Sequence, residues 1–212
     1  MGNVIRVPGE SSPEEVMDVQ ERSADEDRRA WPWGPLPPAG EREDAAGRWP
    51  RISIVTPSFN QGRYLEETIR SVLAQEYPKL QYVVIDGGSN DGSVEILRKY
   101  ADHLDHWESE PDRGQAHALN KGFARCDGEI FAYLNSDDLY RPGALERVAR
   151  AFREHPDPAR FLWASAVEDF DETGVLTRIG PRTQNQLADW IGCRAYLHQP
   201  GVFWSAELHR RI

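Results

Sequence analysis

The sequence predicts an α/β fold: a single Rossmann-like, doubly wound and mostly parallel sheet flanked by helices. Three observations carry that prediction. The apolar runs at Ile52 to Val55, Tyr82 to Ile85 and Ile130 to Leu134 are short and nearly continuous, as strands buried on both faces are. Between the first two, Leu65, Ile69, Val72 and Leu73 recur at helical spacing. Each run also stops at a loop of turn formers, and strand–helix–strand–helix within about fifty residues implies right-handed crossovers in one parallel sheet.

The chain divides near residue 50. Residues 1–50 are rich in Glu, Asp, Arg and Pro, and their few aliphatics, Val4, Ile5, Val16 and Val19, cannot form a core. This acidic, Pro-rich extension is expected to be largely disordered, with Trp31 to Pro38 extended because successive prolines exclude helix. Residues 51–212 form the folded domain. Its first strand ends in Thr56-Pro57-Ser58-Phe59-Asn60-Gln61-Gly62, and a helix follows over Tyr64 to Gln75. The second strand ends at Asp86, and Gly87 to Gly92 lead into a helix marked by Val94, Leu97 and Ala101. A short strand at His106 to Ser109 runs into Glu110-Pro111-Asp112-Arg113-Gly114, then a helix striped by Leu119, Phe123 and Cys126. The strand from Ile130 stops at Asn135-Ser136-Asp137-Asp138, and Leu145, Val148, Ala149 and Phe152 mark the next helix. Phe161 to Val167 reads as a strand, Glu168 to Gly174 as an acidic turn, and Val175 to Ile179 as its hairpin partner. His198 to Trp204 reads as a last strand, and Ser205 caps a helix.

Composition removes several function classes. The net charge of −10 argues against a nucleic-acid partner. With a mean hydropathy of −0.66 and no long apolar run, no spanning helix is expected. No signal-peptide core is present, and Arg6 stands where a myristoylation signal needs Ser or Thr. Cys126 and Cys193 are isolated, without metal spacing, and read as reduced thiols of a cytoplasmic protein.

The loops exclude three familiar sites. Gly87 to Ser93 has the glycine spacing of a P-loop, but Ser93 replaces its lysine. No G-x-G-x-x-G follows the first strand, and Asp91 falls where an EF-hand loop needs glycine. What remains is Ser58, Asp86, Arg113 and Asp137, each just past a strand and therefore neighbours along the carboxyl edge. Singly, each has a plainer reading: Asp86 as a turn former, Arg113 as a surface ion pair with Asp112, Asp137 and Asp138 as helix-start residues. Jointly they suit a nucleoside diphosphate: Asp86 accepting from base or ribose, Arg113 pairing with phosphate, and Asp137 holding Mg²⁺ or Mn²⁺.

ISIVTPSFNQGRYLEETIRSVLAQEYP, VVIDGGSNDGS, EPDRGQAHALNKGF and YLNSDDLYRPGAL, in that order, resemble the inverting family 2 glycosyltransferases of GT-A fold. The match runs from about Arg51 to Trp204. It implies a nucleotide-sugar donor, often UDP-linked, held with Mg²⁺ or Mn²⁺, and a glycan, lipid-linked or other hydroxyl acceptor. On that basis Pro57, Ser58 and Asp86 would contact base and ribose, and Arg113 and Gly114 the diphosphate. Asp137 and Asp138 fall on the acidic metal motif, and His198 stands where some relatives supply a histidine to metal or diphosphate. A strand-end histidine bonded to backbone is the other reading of His198. Two departures stand out: Asn135 begins a metal motif that commonly starts with Asp, and Gly87 replaces the second Asp of an Asp-Asp-Gly-Ser turn. Relatives place the general base beyond the equivalent of Trp204, so the resemblance implies a curtailed C-terminal part and leaves Glu168 and Asp169 as acidic candidates. The expected location is the cytoplasm, with peripheral attachment at the inner face of the membrane as a variant of it.

Overall fold

The computed structural model describes residues 32–37, 49–164, 167–170, 176–179 and 199–211. The chain splits into two compact units, Met1–Gly34 and Pro35–Ile212. Of the first, residues 32–34 are described, and the Trp33 side chain is half exposed. Trp31 lies outside the described residues, as do Cys193 and His198.

The second unit follows the predicted alternation. Strand β1 (Ile52–Ser58) leads to helix α1 (Gly62–Leu73), β2 (Leu80–Asp86) to α2 (Ser93–Tyr100), and β3 (His106–Ser109) to α3 (Gln115–Phe123). β4 (Ile130–Tyr133) precedes α4 (Ala144–Glu154) and β5 (Leu162–Ala164). β6 (Glu168–Phe170) and β7 (Leu176–Ile179) follow, then β8 (Val202–Ser205) and α5 (Ala206–His209). The main sheet has the order β3-β2-β1-β4-β8-β5. β1 to β4 are mutually parallel, while β8 runs antiparallel to both β4 and β5.

Residues alternate between the two faces of β1. Ile52 and Ile54 join Leu65, Ile69, Leu97, Leu145 and Val148 in the larger core, covered by α1, α2 and α4. Val55 points the other way and packs with Val83, Ile85 and Ala118 under α3. Leu36 and Trp49 pack against the larger core, and Trp49 meets Tyr77 edge-on. So a segment upstream of residue 50 adds apolar cover to the domain.

Helix α3 sits close to the sheet because Gly122 has no side chain. A Cβ there would lie 2.4 Å from Val55 Cγ1 and 3.3 Å from Ile85 Cγ1. Gly122→Ala is therefore expected to push α3 outward and cost about 1–3 kcal/mol, as overpacking does. Urea denaturation reads it as a lowered midpoint with an unchanged slope.

The acidic stretch differs from its predicted role as a turn. Glu168 opens β6, which pairs with β7 in a separate two-stranded sheet, and Glu168↔Ile179 begin the ladder. β5 does not form that hairpin; it joins the main sheet through β8 instead. Ser205 behaves as expected: its Oγ accepts from Leu208 N at 3.3 Å and caps α5.

Phe123, Phe131, Trp204 and His209 form one cluster, with the His209 ring centroid 5.0 Å from Phe123 and 4.9 Å from Phe131. Trp204 Nε1 donates to His209 Nδ1 at 3.4 Å, so the neutral imidazole is the partner this cluster accepts. Burial pushes the His209 pKa below its ordinary 6.5. The stabilisation is thus complete above pH 6.5 and is lost as pH falls below it. Melting curves of the protein and of His209→Phe, compared between pH 7.5 and 5, should show a loss specific to the histidine.

Candidate functional site

The parallel register sets the site. Ser58↔Asp86 and Asp86↔Ser109 are paired, so the ends of β1, β2 and β3 stand level along the carboxyl edge. Leu134 N donates to Val55 O, which brings the loop after β4 alongside β1.

Asp86 is fully buried and organises the edge. Its Oδ2 accepts from Gly88 N at 3.1 Å, Ser89 N at 2.8 Å and Ser109 Oγ at 2.6 Å, and its Oδ1 from Ser89 Oγ at 2.5 Å. Ser89 Oγ in turn accepts from Asn60 N at 2.7 Å, and Asn60 Oδ1 from Asn90 N at 3.1 Å. Asp91 completes the tie: Oδ2 accepts from Gly62 N at 2.7 Å and Oδ1 from Ser93 Oγ at 2.6 Å. Burial opposes ionisation of Asp91, but the bonds from Ser93 and Gly62 outweigh it and hold its carboxyl below the usual range. The result is a rigid shelf built from the loops after β1 and β2.

Glycines let the third loop close on that shelf. A Cβ on Gly87 would lie 3.0 Å from Asp112 Oδ2, and Gly88 adopts φ +85° with Pro111 N 3.1 Å from its Cβ position. The Asp112 carboxylate therefore stands over Gly87, where it also accepts from Gly114 N at 2.7 Å. Arg113 is exposed beside it, and Gly114, at φ +99°, opens α3. Phe59 is 61% exposed at the mouth of the shelf, an aromatic that solvent would not select.

The acidic end of β4 completes the edge. Ser136 is buried, Asp137 exposed and Asp138 half-buried. Asn135 Nδ2 donates to Asp138 Oδ2 at 3.0 Å and to Gln199 Oε1 at 2.9 Å. Burial pushes the nearby Tyr133 hydroxyl upward, and the Asp138 charge adds to that shift. Among the described residues no third His, Cys, Asp or Glu joins the pair as a ligand set.

Thus Pro57, Ser58, Asp86, Arg113, Gly114, Asp137 and Asp138 all lie on one edge, as the strand ends predict. Asp86 turns its carboxylate inward, which the sequence does not reveal. Ser58 is also buried, and its Oγ has no hydrogen-bond partner among the described residues. Glu168 is ion-paired with Arg141, the residue after Tyr140. Asp169 stands in β6, paired with Arg178. Residues that sequence reasoning misses are Phe59, Ser109, Gln115 and Gln199. A signal existed for Gln199, which follows His198 directly, and for Phe59, a lone aromatic among turn formers.

Residues 53–190 match the pattern of Glycosyl transferase family 2. An uncharacterized glycosyltransferase of Nostoc sp. is 34% identical over 151 residues, 66% of this chain and 45% of that protein. One of Mycobacterium tuberculosis is 34% identical over 160 residues, 74% of this chain and 60% of that protein. The chain spans about half the length of these curated relatives. Among solved structures, a mannosyltransferase from Pyrobaculum calidifontis in complex with GDP-Man and Mn²⁺ aligns with TM-score 0.57 and 22% identity over 93% of this chain and 57% of its own. S. aureus TarS 1-349 in complex with UDP-GlcNAc aligns with TM-score 0.61 and 21% identity over 76% and 47%. These two share the fold. The chain belongs to the family 2 glycosyltransferases, and its domain has the GT-A fold.

Proposed function

We propose that this domain transfers a sugar from a nucleotide-sugar donor, UDP-linked, to the hydroxyl of a glycan, lipid-linked or other acceptor, with inversion at the anomeric carbon. The observation that carries the reading is the shelf tied by Asp86 and Asp91 on the same carboxyl edge as the Asp137-Asp138 pair. Pro57, Ser58 and the rigid loop around Asp86 frame the base and ribose. Phe59 supplies a face for the base to stack on. Arg113 and the backbone N–H groups that open α3 after Gly114 receive the diphosphate.

Two carboxylates on one turn fit Mg²⁺ or Mn²⁺, which keep water and take phosphate oxygens for their other positions. Asp137 and Asp138 would hold the ion, and the resemblance adds His198. When bound, it supplies Lewis-acid stabilisation of the leaving diphosphate, worth several kcal/mol. The acceptor hydroxyl needs a carboxylate base. Glu168 is a weak one while Arg141 holds it, so Asp169 is the first of the two to test. The setting is the cytoplasm or the inner membrane face; no helix among the described residues is long and apolar enough to cross a membrane. Nucleic acid is not a partner.

The test is nucleoside diphosphate release from a panel of nucleotide sugars with hydroxyl acceptors, in metal and in chelator. Release that needs both metal and acceptor supports the reading. Metal-dependent binding without release favours the alternative, a non-catalytic nucleotide-sugar-binding module, which the engagement of Glu168 by Arg141 suggests.

A further inference from the structure

Three amide side chains form one hydrogen-bonded chain across the edge. Gln115 Nε2, in the first turn of α3, donates to Asn135 Oδ1 at 2.7 Å. Asn135 Nδ2 donates twice, to Asp138 Oδ2 at 3.0 Å and to Gln199 Oε1 at 2.9 Å. Gln199 Nε2 donates to Tyr133 O at 2.5 Å. The chain joins three segments far apart in sequence: the start of α3, the loop after β4, and the 199–201 turn before β8.

Its polarity is fixed by groups that cannot change roles. The Tyr133 carbonyl only accepts, so Gln199 must present its nitrogen there and its oxygen to Asn135. That oxygen and the Asp138 carboxylate are both acceptors facing Asn135, so its amide nitrogen must point at both. Both hydrogens of one amide are then used. Aspartate, of nearly the same shape, would offer only oxygen at this position. It would set two carboxylates about 3 Å apart and a carboxylate against an amide oxygen, which are repulsive contacts that a cation relieves.

We propose that Asn135 is a positioning residue: its neutral amide locks the Asp138 carboxylate and the 199–201 turn together without a cation, so that this part of the site stands assembled before metal and donor arrive. The site thereby gives up a third carboxylate and the metal affinity that would come with it. Through the Tyr133 carbonyl the network also holds the 199–201 turn against β4. This inference rests on the donor-site reading for what Asp138 faces, but its test requires no donor.

The experiment compares the protein with Asn135→Asp and with the exchanged pair Asn135→Asp, Asp138→Asn. Thermal melts are run in chelator and in Mn²⁺ without nucleotide, and Mn²⁺ affinity is read from the paramagnetic resonance of the free ion. In chelator, Asn135→Asp should melt several degrees below the parent, as expected for losing about one partly buried interaction in a domain of this size. Mn²⁺ should restore most of the loss, and the variant should bind the ion roughly tenfold tighter than the parent, within the range by which groups around a metal alter its affinity. The exchanged pair restores a donor–acceptor contact and should recover part of the loss in chelator. An unchanged melt for Asn135→Asp, or a loss that neither Mn²⁺ nor the exchange recovers, overturns the inference. UDP titration of the parent separates the two readings. A parent that binds no nucleotide beside a rescued variant refutes the donor reading alone; a parent that binds while neither Mn²⁺ nor the exchange rescues the variant refutes this inference alone.

Discussion

Asp86→Ala is expected to lower stability by about 3 kcal/mol and to reduce nucleotide affinity at least about tenfold, because one side chain serves both fold and site. Its carboxylate is fully buried and accepts four hydrogen bonds, two from backbone N–H groups and two from serine hydroxyls. Alanine leaves those donors without their acceptor, and each donor left unsatisfied costs about 1–3 kcal/mol before relaxation. The hydroxyls of Ser89 and Ser109 can rotate; the Gly88 and Ser89 N–H groups cannot. The loop after β2 would then lose its hold on Asn60, which Ser89 Oγ and the Asn90 N–H anchor. Ser89→Ala serves as the comparison, since it keeps the carboxylate, both of its backbone donors and the Ser109 hydroxyl. Denaturation should rank the variants parent, Ser89→Ala, Asp86→Ala, and nucleotide titration should follow the same order.

Asp137→Asn is the second large effect, and it falls on binding instead of folding. Asp137 is exposed, so the amide should leave the melting temperature in chelator unchanged to within about a degree, as surface substitutions do. Metal-dependent UDP affinity should drop by about 1–3 kcal/mol, the scale of one charge-assisted contact. Calorimetry with and without chelator checks both halves. An unchanged affinity would remove Asp137 from the metal site.

The parallel strands were legible where they depend on runs of side chains. Tyr82 to Ile85 and Ile130 to Ala132 are buried on both faces, so their apolar continuity signals a parallel sheet directly. Helix α1 begins at Gly62 instead of Tyr64, because its first free N–H is taken by Asp91, a partner 29 residues away that no local pattern reveals. The 168–170 strand was hidden for a related reason. Acidic residues disfavour strands by propensity, yet Arg141 neutralises Glu168 and β7 supplies the ladder. The insertion of β8 between β4 and β5 likewise depends on pairing across the whole domain.

The same contrast holds in the site. Strand ends marked Ser58, Asp86, Arg113 and Asp137, since parallel strands bring those ends together whatever the loops do. Which carboxylate turns inward was invisible, because Ser109 and the Gly88 N–H decide it for Asp86. The amide network was equally hidden, because three of its four bonds join residues 20 to 66 positions apart in sequence.

If the proposed function holds, this edge binds a nucleotide sugar together with a divalent cation. Calorimetric titration of the protein with a panel of nucleotide sugars, in Mn²⁺, in Mg²⁺ and in chelator, addresses it most directly. The expected result is one preferred donor, bound in metal and weakened at least about tenfold by chelator, the loss of roughly one charge-assisted contact. No binding of any nucleotide sugar under any of the three conditions, or binding that chelator leaves unchanged, would contradict it.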